Sequence, residues 1–475
     1  MNPFAEALQA SVPHVPEPEP SAVEYTPEPG TITVDRQFSD LSNAQLFAAQ
    51  HHGRIRYVYG QELWLIWDGV CWRRDDTGGV VRLAKATAKS LLHQDYIGTW
   101  KEQDAALKFA VKSQNRRQLM DFIALARSEP GIATATGELD ADPWLFNCAN
   151  GTLDLRTGRL RPHDRRDLLT KAIQVAFDAQ ATCPRWMAFL ERATGGDQEL
   201  MVFLQRAIGY ALTGSTQEQK LFYLFGLGRN GKTAFMETVL SLLVGYARRI
   251  PSESLMVRQH GGGIPNDLAM LAAARVACAS ETAEGAQLDE AKIKEITGGD
   301  TITARFLHKE FFEYQPQFKL WIVGNHKPII KGSDLGIWRR ILLIPFTVTV
   351  PEAEVDPALP AKLREELPGI LAWAVRGCLD WQRHGLGTPR AVAAATQDYQ
   401  RESDLIGQFL DERCRLTQGT ESPVPAIYGS YRLWAESGGL RPVTAVSFGR
   451  KLSERGFSMR RANGQTRVAG LLLAG

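Results

Sequence analysis

The fold prediction starts from Leu221-Phe-Tyr-Leu-Phe-Gly-Leu-Gly-Arg-Asn-Gly-Lys-Thr233. Residues 221–225 are all apolar, which is typical of a parallel strand that is buried on both faces. Residues 226–233 fit the pattern G-x-x-x-x-G-K-[ST] in full, and good helix formers follow from Ala234 to Val244. The sequence therefore predicts a strand, a glycine-rich loop and a helix, in the order that a phosphate-binding loop needs.

This loop predicts a site for Mg²⁺ and ATP. Glycines let consecutive backbone N–H groups turn towards one phosphate, and the helix start adds the positive end of a dipole. Lys232 is expected to reach the β- and γ-phosphates, and Thr233 is expected to offer its hydroxyl to Mg²⁺. The predicted nucleotide-binding residues are Gly226, Gly228, Asn230, Gly231, Lys232 and Thr233.

Length and charge distribution indicate how the chain is organised. At 475 residues it is long enough for about three domains. The net charge is only +2, but residues 1–36 contain six acidic residues and one basic residue, whereas residues 421–475 contain eight Lys/Arg and three Glu. We therefore expect an acidic tail at one end and a nucleic-acid-facing module at the other.

Cysteine spacing and hydropathy exclude several classes of protein. The six cysteines form no C-x-x-C pair, so the sequence predicts free thiols rather than a zinc ribbon or a disulfide framework. No signal peptide and no run of 18 apolar residues is visible, so no membrane partner is expected. These features predict a soluble protein in a reducing cytoplasm.

Five segments are predicted along the chain. Proline and glutamate are frequent in residues 1–39, which predicts a disordered tail. Aromatic strand patterns, helical patterns and turns at Asn150-Gly151 and Thr157-Gly158 predict an α+β domain over residues 40–185. The remaining predicted segments are an ATPase core with a leading helical bundle at 186–350, a helical region at 351–420 and a winged-helix domain at 421–475.

The winged-helix prediction rests on the order of elements after residue 421. Ile427, Tyr431 and Trp434 have helical spacing, Thr444 can cap a second helix, and a hairpin is expected around Asn463-Gly464. Basic residues of this segment are expected to contact the DNA backbone, with a solvated basic face as the alternative. The candidates for DNA contact are Arg450, Lys451, Arg460 and Arg461.

Three segments downstream of the loop add further chemistry. A small-residue strand ends at Glu281, which can place a carboxylate beside Mg²⁺ and the attacking water. A second strand ends at Asn325, a polar residue that can orient this water or sense the γ-phosphate. Arg339 and Arg340 precede an apolar strand and are expected at an interface.

In this order the motifs resemble superfamily 3 helicases, and most closely the phage, plasmid and poxvirus primase-helicases. The matching features are the phosphate loop, the strand with Glu281, Thr297-Gly-Gly-Asp300, the strand with Asn325, and Trp338-Arg-Arg340 with its apolar strand. The resemblance extends over most of the chain. It implies an α/β, AAA+-like P-loop NTPase core between an N-terminal α+β domain and a C-terminal winged helix. It also implies a hexameric ring around DNA, with 3′ to 5′ translocation, in the cytoplasm of a bacterial host cell.

The resemblance assigns roles to single residues. Glu281 would polarise the attacking water and join Thr233 at Mg²⁺, and Asn325 would act as the first sensor. A neighbouring subunit would supply an arginine finger, either Arg340 or Arg339. Two residues of a hairpin would hold DNA in the central channel: His308 and Lys309.

Some features depart from the family pattern or have a structural interpretation. Ser280 stands where many relatives have a second acid, which leaves open the other protein ligand of Mg²⁺. Only about 40 residues precede the globular part, too few for the primase-polymerase domain that relatives often contain. Asp140-Ala-Asp142 imitates a metal motif without further carboxylates, so a structural role is predicted. Trp64, Trp67 and Trp72 are expected in the core.

Two functions from different classes follow. The first is a replicative, ATP-dependent DNA helicase of a phage, prophage or mobile element, working with other replication proteins. The alternative is an origin-binding initiator or scaffold, whose ATPase drives assembly without processive unwinding. A primase is disfavoured because the catalytic domain is missing. Taken without the family resemblance, His308 and Lys309 would be an exposed charged turn.

Overall fold

A computed structural model describes the protein at residues 32–33, 37–257, 266–280, 284–305, 311–331, 335–462 and 464–474. The chain divides into two compact units. One comprises the chain up to Trp67 together with Arg73–Thr136, and the other comprises Asp68–Trp72 together with the chain from Gly137 onward. Both units combine helices and strands, so the fold is mixed α/β.

The first unit packs helices against a short sheet. Its helices are α1 (Asp40–His51), α2 (Gly79–Ser90), α3 (Trp100–Ser113) and α4 (Arg116–Ala126). Its strands are β1 (Ile32–Thr33), β2 (Ile55–Val58), β3 (Leu63–Trp67), β4 (Trp72–Arg74), β5 (Tyr96–Ile97) and β6 (Ala133–Thr134). One sheet has the order β4-β3-β2-β6, and β1 pairs with β5.

Apolar side chains from α1, α4 and β2 meet in the core of the first unit. Phe47, Ile55 and Phe122 are fully buried there, and Trp64 packs against them. Trp72 belongs to the second unit and is buried, and Trp67 of the first unit is half-buried. The prediction that these tryptophans are structural is confirmed for Trp64 and Trp72.

The second unit contains most of the chain. Its helices are α5 (Pro184–Ala193), α6 (Gln198–Leu212), α7 (Lys232–Leu242), α8 (Asn266–Ala269), α9 (Glu290–Gly298), α10 (Leu335–Trp338), α11 (Leu359–Glu365), α12 (Leu367–His384), α13 (Arg390–Ser403), α14 (Leu405–Arg413), α15 (Val424–Ser437) and α16 (Ala445–Glu454). Its strands are β7 (Leu145–Cys148), β8 (Gly151–Asp154), β9 (Arg159–Arg161), β10 (Leu221–Phe225), β11 (Ala247–Ile250), β12 (Val276–Ser280), β13 (Ile302–Ala304), β14 (Phe312–Tyr314), β15 (Lys319–Gly324), β16 (Ile341–Pro345), β17 (Cys414–Pro423), β18 (Met459–Ala462) and β19 (Gln465–Leu473).

A five-stranded parallel sheet with the order β11-β12-β15-β10-β16 forms the centre of this unit. Successive residues of β10 point to opposite faces. Phe222 and Leu224 belong to one apolar cluster, which includes α6, α7 and α12, and Leu221 and Tyr223 belong to a second cluster on the other face. Because both faces are covered, the strand is apolar at every position, as its sequence predicted.

The last part of the chain forms its own apolar cluster. Ile406 and Phe409 of α14 join Tyr431 of α15, Phe448 of α16 and Leu471 of β19 in one buried group. The predicted two helices and hairpin are present, and the hydroxyl of Thr444 accepts a hydrogen bond from the backbone N–H of Ser447. The strand β17 is a correction, because it pairs with β19 where the sequence predicted helix through residue 420. Its residues are mostly exposed and polar, so the sequence shows no apolar alternation that would predict a strand.

The predictions on thiols and membrane spans concern the whole chain. All six cysteines are free, and five of them are buried. Within the described residues, no helix is long and apolar enough to cross a membrane.

Candidate functional site

The loop between β10 and α7 has the backbone of an anion-binding turn. Gly228, Arg229 and Gly231 have φ angles of 110°, 48° and 85°, and glycine reaches such left-handed angles without strain. Gly231 is also the N-cap of α7, and no side chain caps this helix. The first N–H groups of α7 and its positive dipole end are therefore available to an anion at the loop.

Gly226 is required by close packing. A Cβ atom at this position would lie 2.0 Å from Nδ2 of Asn230 and 2.3 Å from the carbonyl oxygen of Phe346. Nδ2 of Asn230 donates a hydrogen bond of 2.8 Å to that same carbonyl. The loop is thereby tied to the residue that follows β16, and a side chain at position 226 would separate them.

Lys232 is the buried cation of this loop. Its Nζ donates to the carbonyl oxygen of Gly226 at 2.7 Å and to Oδ1 of Asn230 at 2.8 Å, and the residue is 4% exposed. Both acceptors are uncharged oxygens, and burial lowers the pKa of the Lys232 ammonium to about 8. Neither of these two contacts brings a negative charge to the ammonium. A phosphate bound at the loop would bring one.

Residues expected at Mg²⁺ and at the attacking water follow strands of the same sheet. Phe225 of β10 pairs with Gly324 of β15, so Asn325 follows β15 beside the start of the phosphate loop, and its side chain is exposed. Ser280 of β12 pairs with Val323, so β12 ends at the same edge. Glu281 comes next in the chain but lies outside the described residues.

Thr233 is exposed at the second position of α7, where its hydroxyl is open to a metal-bound phosphate. Across the part of the chain that the structure describes, no three His, Cys, Asp or Glu side chains form a group that could hold a metal ion. The exposed hydroxyl of Thr233 fits Mg²⁺, because this ion takes few protein ligands and completes its shell with water and phosphate oxygens.

Arg339 and Arg340 lie at the opposite edge of the sheet. Arg340 precedes β16, and its backbone carbonyl accepts a 2.7 Å hydrogen bond from the N–H of Leu221, the first residue of β10. One five-residue strand, about 17 Å, therefore separates these arginines from the phosphate loop of their own chain. Neither arginine is positioned to serve that loop.

The two arginines differ in their surroundings. Arg340 is 8% exposed, and it donates from Nε to Oγ1 of Thr297 at 3.1 Å and from Nη1 to the carbonyl oxygen of Gly336 at 2.8 Å. Arg339 is exposed, and its backbone carbonyl accepts a 2.6 Å hydrogen bond from Nζ of Lys220. Arg339 thus presents its guanidinium to the surface, whereas that of Arg340 is engaged inside the unit.

The structure describes the two strands of the expected DNA-binding hairpin but not the residues that connect them. β13 and β14 pair antiparallel, with Ile302 opposite Tyr314 and Ala304 opposite Phe312, immediately before β15. His308 and Lys309 belong to the connection and lie outside the described residues.

The four basic residues near the C-terminus that are candidates for DNA contact differ in exposure and in their partners. Arg461 is exposed, and Arg450 is exposed with a 3.6 Å ion pair to Glu454. Arg460 forms a 2.5 Å ion pair with Glu421. Lys451 donates from Nζ to the carbonyl oxygen of Lys331, and burial lowers its pKa. Arg461 and Arg450 are therefore the better placed of the four for phosphate contacts.

Sequence reasoning missed Lys327 at the edge of the phosphate loop. Its Nζ lies 2.7 Å from Oε2 of Glu402 in α13 and 5.0 Å from the ring centre of Phe225. The carbonyl oxygen of the next residue, Pro328, accepts a hydrogen bond from the Tyr399 hydroxyl. Its position two residues after Asn325 was the available signal.

The Asp140-Ala-Asp142 segment has structural partners. Asp140 is buried and accepts a 2.7 Å hydrogen bond from the backbone N–H of Thr170. Asp142 accepts from the N–H of Trp144 at 2.9 Å and pairs with Arg156 at 2.9 Å. The predicted structural role of both carboxylates is confirmed.

Two family models match parts of this chain, and several viral proteins are similar to it. Residues 44–195 match the family described as D5 N terminal like, and residues 224–340 match a family of unknown function. A candidate helicase of Acanthamoeba polyphaga mimivirus is 27% identical over 325 residues, 63% of this chain and 34% of that protein. A candidate helicase of Frog virus 3 (isolate Goorha) is 27% identical over 279 residues, 55% of this chain and 29% of that protein.

A candidate primase of African swine fever virus is 23% identical over 210 residues, 43% of this chain and 22% of that protein. Over parts of its length, the chain is similar to viral candidate helicases and primases. It spans about a third or less of the length of these curated relatives. Among solved structures, the apo C-terminal region of NrS-1 is 11% identical with a TM-score of 0.49, covering 92% of this chain and 100% of that one.

Proposed function

We propose that this chain is a member of the primase-helicase family and an ATP-dependent DNA helicase. The observation that supports it best is the buried Lys232, held by Gly226 and Asn230 in a loop that leads from a central parallel strand to an uncapped helix. This geometry provides a cation and several N–H donors for a triphosphate before any ligand arrives. Family membership supplies the coupling of this site to nucleic acid.

In the proposed reaction, the phosphates of ATP lie against the N-terminal N–H groups of α7, and Lys232 exchanges its neutral acceptors for phosphate oxygens. Asn325 at the same edge orients the attacking water together with Glu281. Thr233 and Glu281 would hold Mg²⁺, which neutralises charge on the phosphates when it is bound.

A neighbouring subunit completes the site in this proposal. The arginines before β16 lie about one strand length from their own phosphate loop, so a finger must act in trans. The exposed guanidinium of Arg339 supports this residue over the buried Arg340. A hexameric ring, with DNA held by His308 and Lys309, follows from the family resemblance, as does a winged-helix role for the C-terminal cluster.

An origin-binding initiator or scaffold remains the second candidate function, supported by the basic C-terminal segment. The phage, prophage or mobile-element context and the bacterial host cell stay predictions, since the relatives from mimivirus, Frog virus 3 and African swine fever virus are proteins of eukaryotic viruses.

Unwinding of a forked DNA duplex with Mg²⁺ and ATP tests the proposed function. A helicase should release the labelled strand in an ATP-dependent reaction, and Lys232→Ala should be inactive. ATP hydrolysis and DNA binding without strand release would establish the initiator or scaffold instead. No ATP hydrolysis with or without DNA would refute both.

A further inference from the structure

Helix α3 exposes its large apolar side chains to solvent. Trp100, Leu107 and Val111 are 72%, 52% and 56% exposed, and their spacing of seven and four residues puts them on one face of the helix. The fully buried residues of this helix are small instead, namely Ala106, Ala110 and Ser113, and Phe109 is half-buried. This arrangement reverses the usual pattern of a surface helix, in which large apolar residues face the core.

The exposed apolar stripe continues towards the start of the helix. Ile97, at the end of β5, is 61% exposed, and Leu92 precedes it as another exposed apolar residue. Contiguous exposed apolar surface of this kind marks a site where something binds.

A basic stripe runs beside the apolar one. Lys101, Lys108 and Lys112 recur at the same spacing of seven and four residues, about a quarter-turn around the helix from Trp100, Leu107 and Val111. Lys108 forms a 2.7 Å ion pair with Asp104, and the ammonium of Lys101 lies 5.7 Å from the ring centre of Trp100. The surface therefore fits an occupant that is both apolar and acidic.

The N-terminal segment of this chain enters the structure beside α3. Ile32 and Thr33 pair in parallel with Tyr96 and Ile97, and the ring of Phe38 lies 5.2 Å from that of Phe109 in α3. Residues 1–31 contain five Glu and no Lys or Arg, with apolar residues that include Phe4, Leu8 and Val12.

A random coil of 31 residues has a root-mean-square span of about 30 Å, and α3, with 14 residues, is about 21 Å long. Every part of the stripe is therefore within reach of residues 1–31. The tether also gives this segment a high effective concentration at the helix.

We propose that residues 1–31 dock in cis on the exposed face of α3, which we call the α3 surface (Ile97, Trp100, Lys101, Leu107, Lys108, Val111 and Lys112). Apolar residues of the segment cover the apolar stripe, and its glutamates face the lysines. A second copy of the same surface is a poorer occupant, because it would bring lysines against lysines. Single-stranded nucleic acid is also a poorer occupant, because Leu107 and Val111 offer no ring for base stacking.

Thiol labelling tests the docking directly. We would compare Val111→Cys in the full chain and in a chain lacking residues 1–31, using a small maleimide; the native cysteines are buried apart from the half-buried Cys414. Labelling should be about tenfold faster, or more, without the segment, because tethered docking keeps the site covered most of the time. A matched control, Lys85→Cys on the exposed face of α2, should label equally in both chains.

Two further arms separate the alternatives. A synthetic peptide of residues 1–31 should restore protection to the shortened chain, less so at high salt, and a Lys101→Glu, Lys112→Glu variant should lose it. Equal labelling of the full and shortened chains would overturn the proposal. Protection that rises with protein concentration would assign the surface to a second copy, and protection by a single-stranded oligonucleotide in the shortened chain would assign it to nucleic acid. Either result overturns docking in cis.

Discussion

The ammonium of Lys232 donates a hydrogen bond to Oδ1 of Asn230, and Nδ2 of the same Asn230 side chain donates to the carbonyl oxygen of Phe346. One amide side chain thus connects the phosphate-binding cation to the end of β16. Since Arg339 and Arg340 immediately precede that strand, β16 connects the two edges of the sheet.

Nucleotide binding should weaken above pH 8. Burial lowers the pKa of Lys232 to about 8, so the ammonium of the free protein loses its proton as pH rises through that value. Phosphate favours the charged form, so binding above pH 8 takes up a proton and affinity falls by up to about tenfold per pH unit. Fluorescence titration with an ATP analogue from pH 7 to 9.5 measures this effect. Lys232→Met should bind weakly at every pH, and a pH-independent wild-type affinity would contradict the assignment.

Glu281→Gln should bind ATP normally and hydrolyse it poorly, because the attacking water loses its orienting carboxylate. Lys232→Ala should hydrolyse poorly for a different reason, the loss of charge at the β/γ-phosphates. Binding and turnover measured separately distinguish the two variants. Wild-type turnover by Glu281→Gln would show that the carboxylate at the end of β12 has another role.

Arg339→Ala should reduce ATP turnover by about 10³-fold or more while leaving ATP affinity nearly unchanged, as expected for a finger supplied in trans. Mixing this protein with Lys232→Ala should restore part of the activity, because some mixed interfaces then contain both intact residues. Subunit exchange is first verified with two affinity tags. If exchange occurs and no activity returns, Arg339 is not a trans finger.

Arg340→Ala should act mainly on stability. Its guanidinium donates to Thr297 and Gly336 inside the unit, and loss of these two charge-assisted hydrogen bonds should cost about 1–3 kcal/mol. Thermal unfolding measures this loss, with Arg339→Ala as the exposed control. Unchanged stability of Arg340→Ala, combined with lost turnover and recovery on mixing with Lys232→Ala, would return the finger role to Arg340.

Removing the C-terminal part of the chain that forms its own apolar cluster, from α14 to β19, should weaken DNA binding and flatten its salt dependence. Deletion should start at Asp404 rather than at residue 421, since α14 and β17 belong to the same cluster. Arg461→Met should lower the salt slope by about one, whereas Lys451→Met should leave it unchanged because Lys451 binds the carbonyl of Lys331. Titrations at several salt concentrations measure the slopes, and a lower slope for Lys451→Met alone would reverse this ranking.

Lys309→Ala should keep ATP hydrolysis and lose strand separation, because the grip on DNA in the channel is removed. The two activities are measured on the same forked substrate. Full unwinding by this variant would exclude Lys309 from the DNA grip.

Pattern analysis predicted those parts of the fold that repeat a simple period. The apolar run of β10 and the Thr444 cap both appear where the sequence placed them. β17 was not predictable in this way, because its residues are mostly polar and exposed and show no apolar period. Its strand conformation depends on pairing with β19.

Single-residue environments were less accessible from the sequence. Adjacent arginines look alike in a pattern, yet tertiary packing buries Arg340 and exposes Arg339. Lys451 and Arg461 are also alike in sequence, since both are basic. In the structure Lys451 donates to the carbonyl oxygen of Lys331, whereas Arg461 is exposed. Glu281, His308 and Lys309 lie outside the described residues, so their roles stay predictions.

The position of the phosphate loop and of the arginines at opposite edges of one sheet has a consequence for symmetry. A contact between one subunit's arginine edge and the next subunit's loop edge joins two different surfaces, and is therefore heterologous. A two-fold dimer can be built entirely from identical surfaces, but this contact cannot. Each added subunit leaves one unused edge of each kind, until rotation brings the last edge back to the first. Assembly through this contact must close into a cyclic ring or grow as a helix, and only closure gives as many complete sites as subunits.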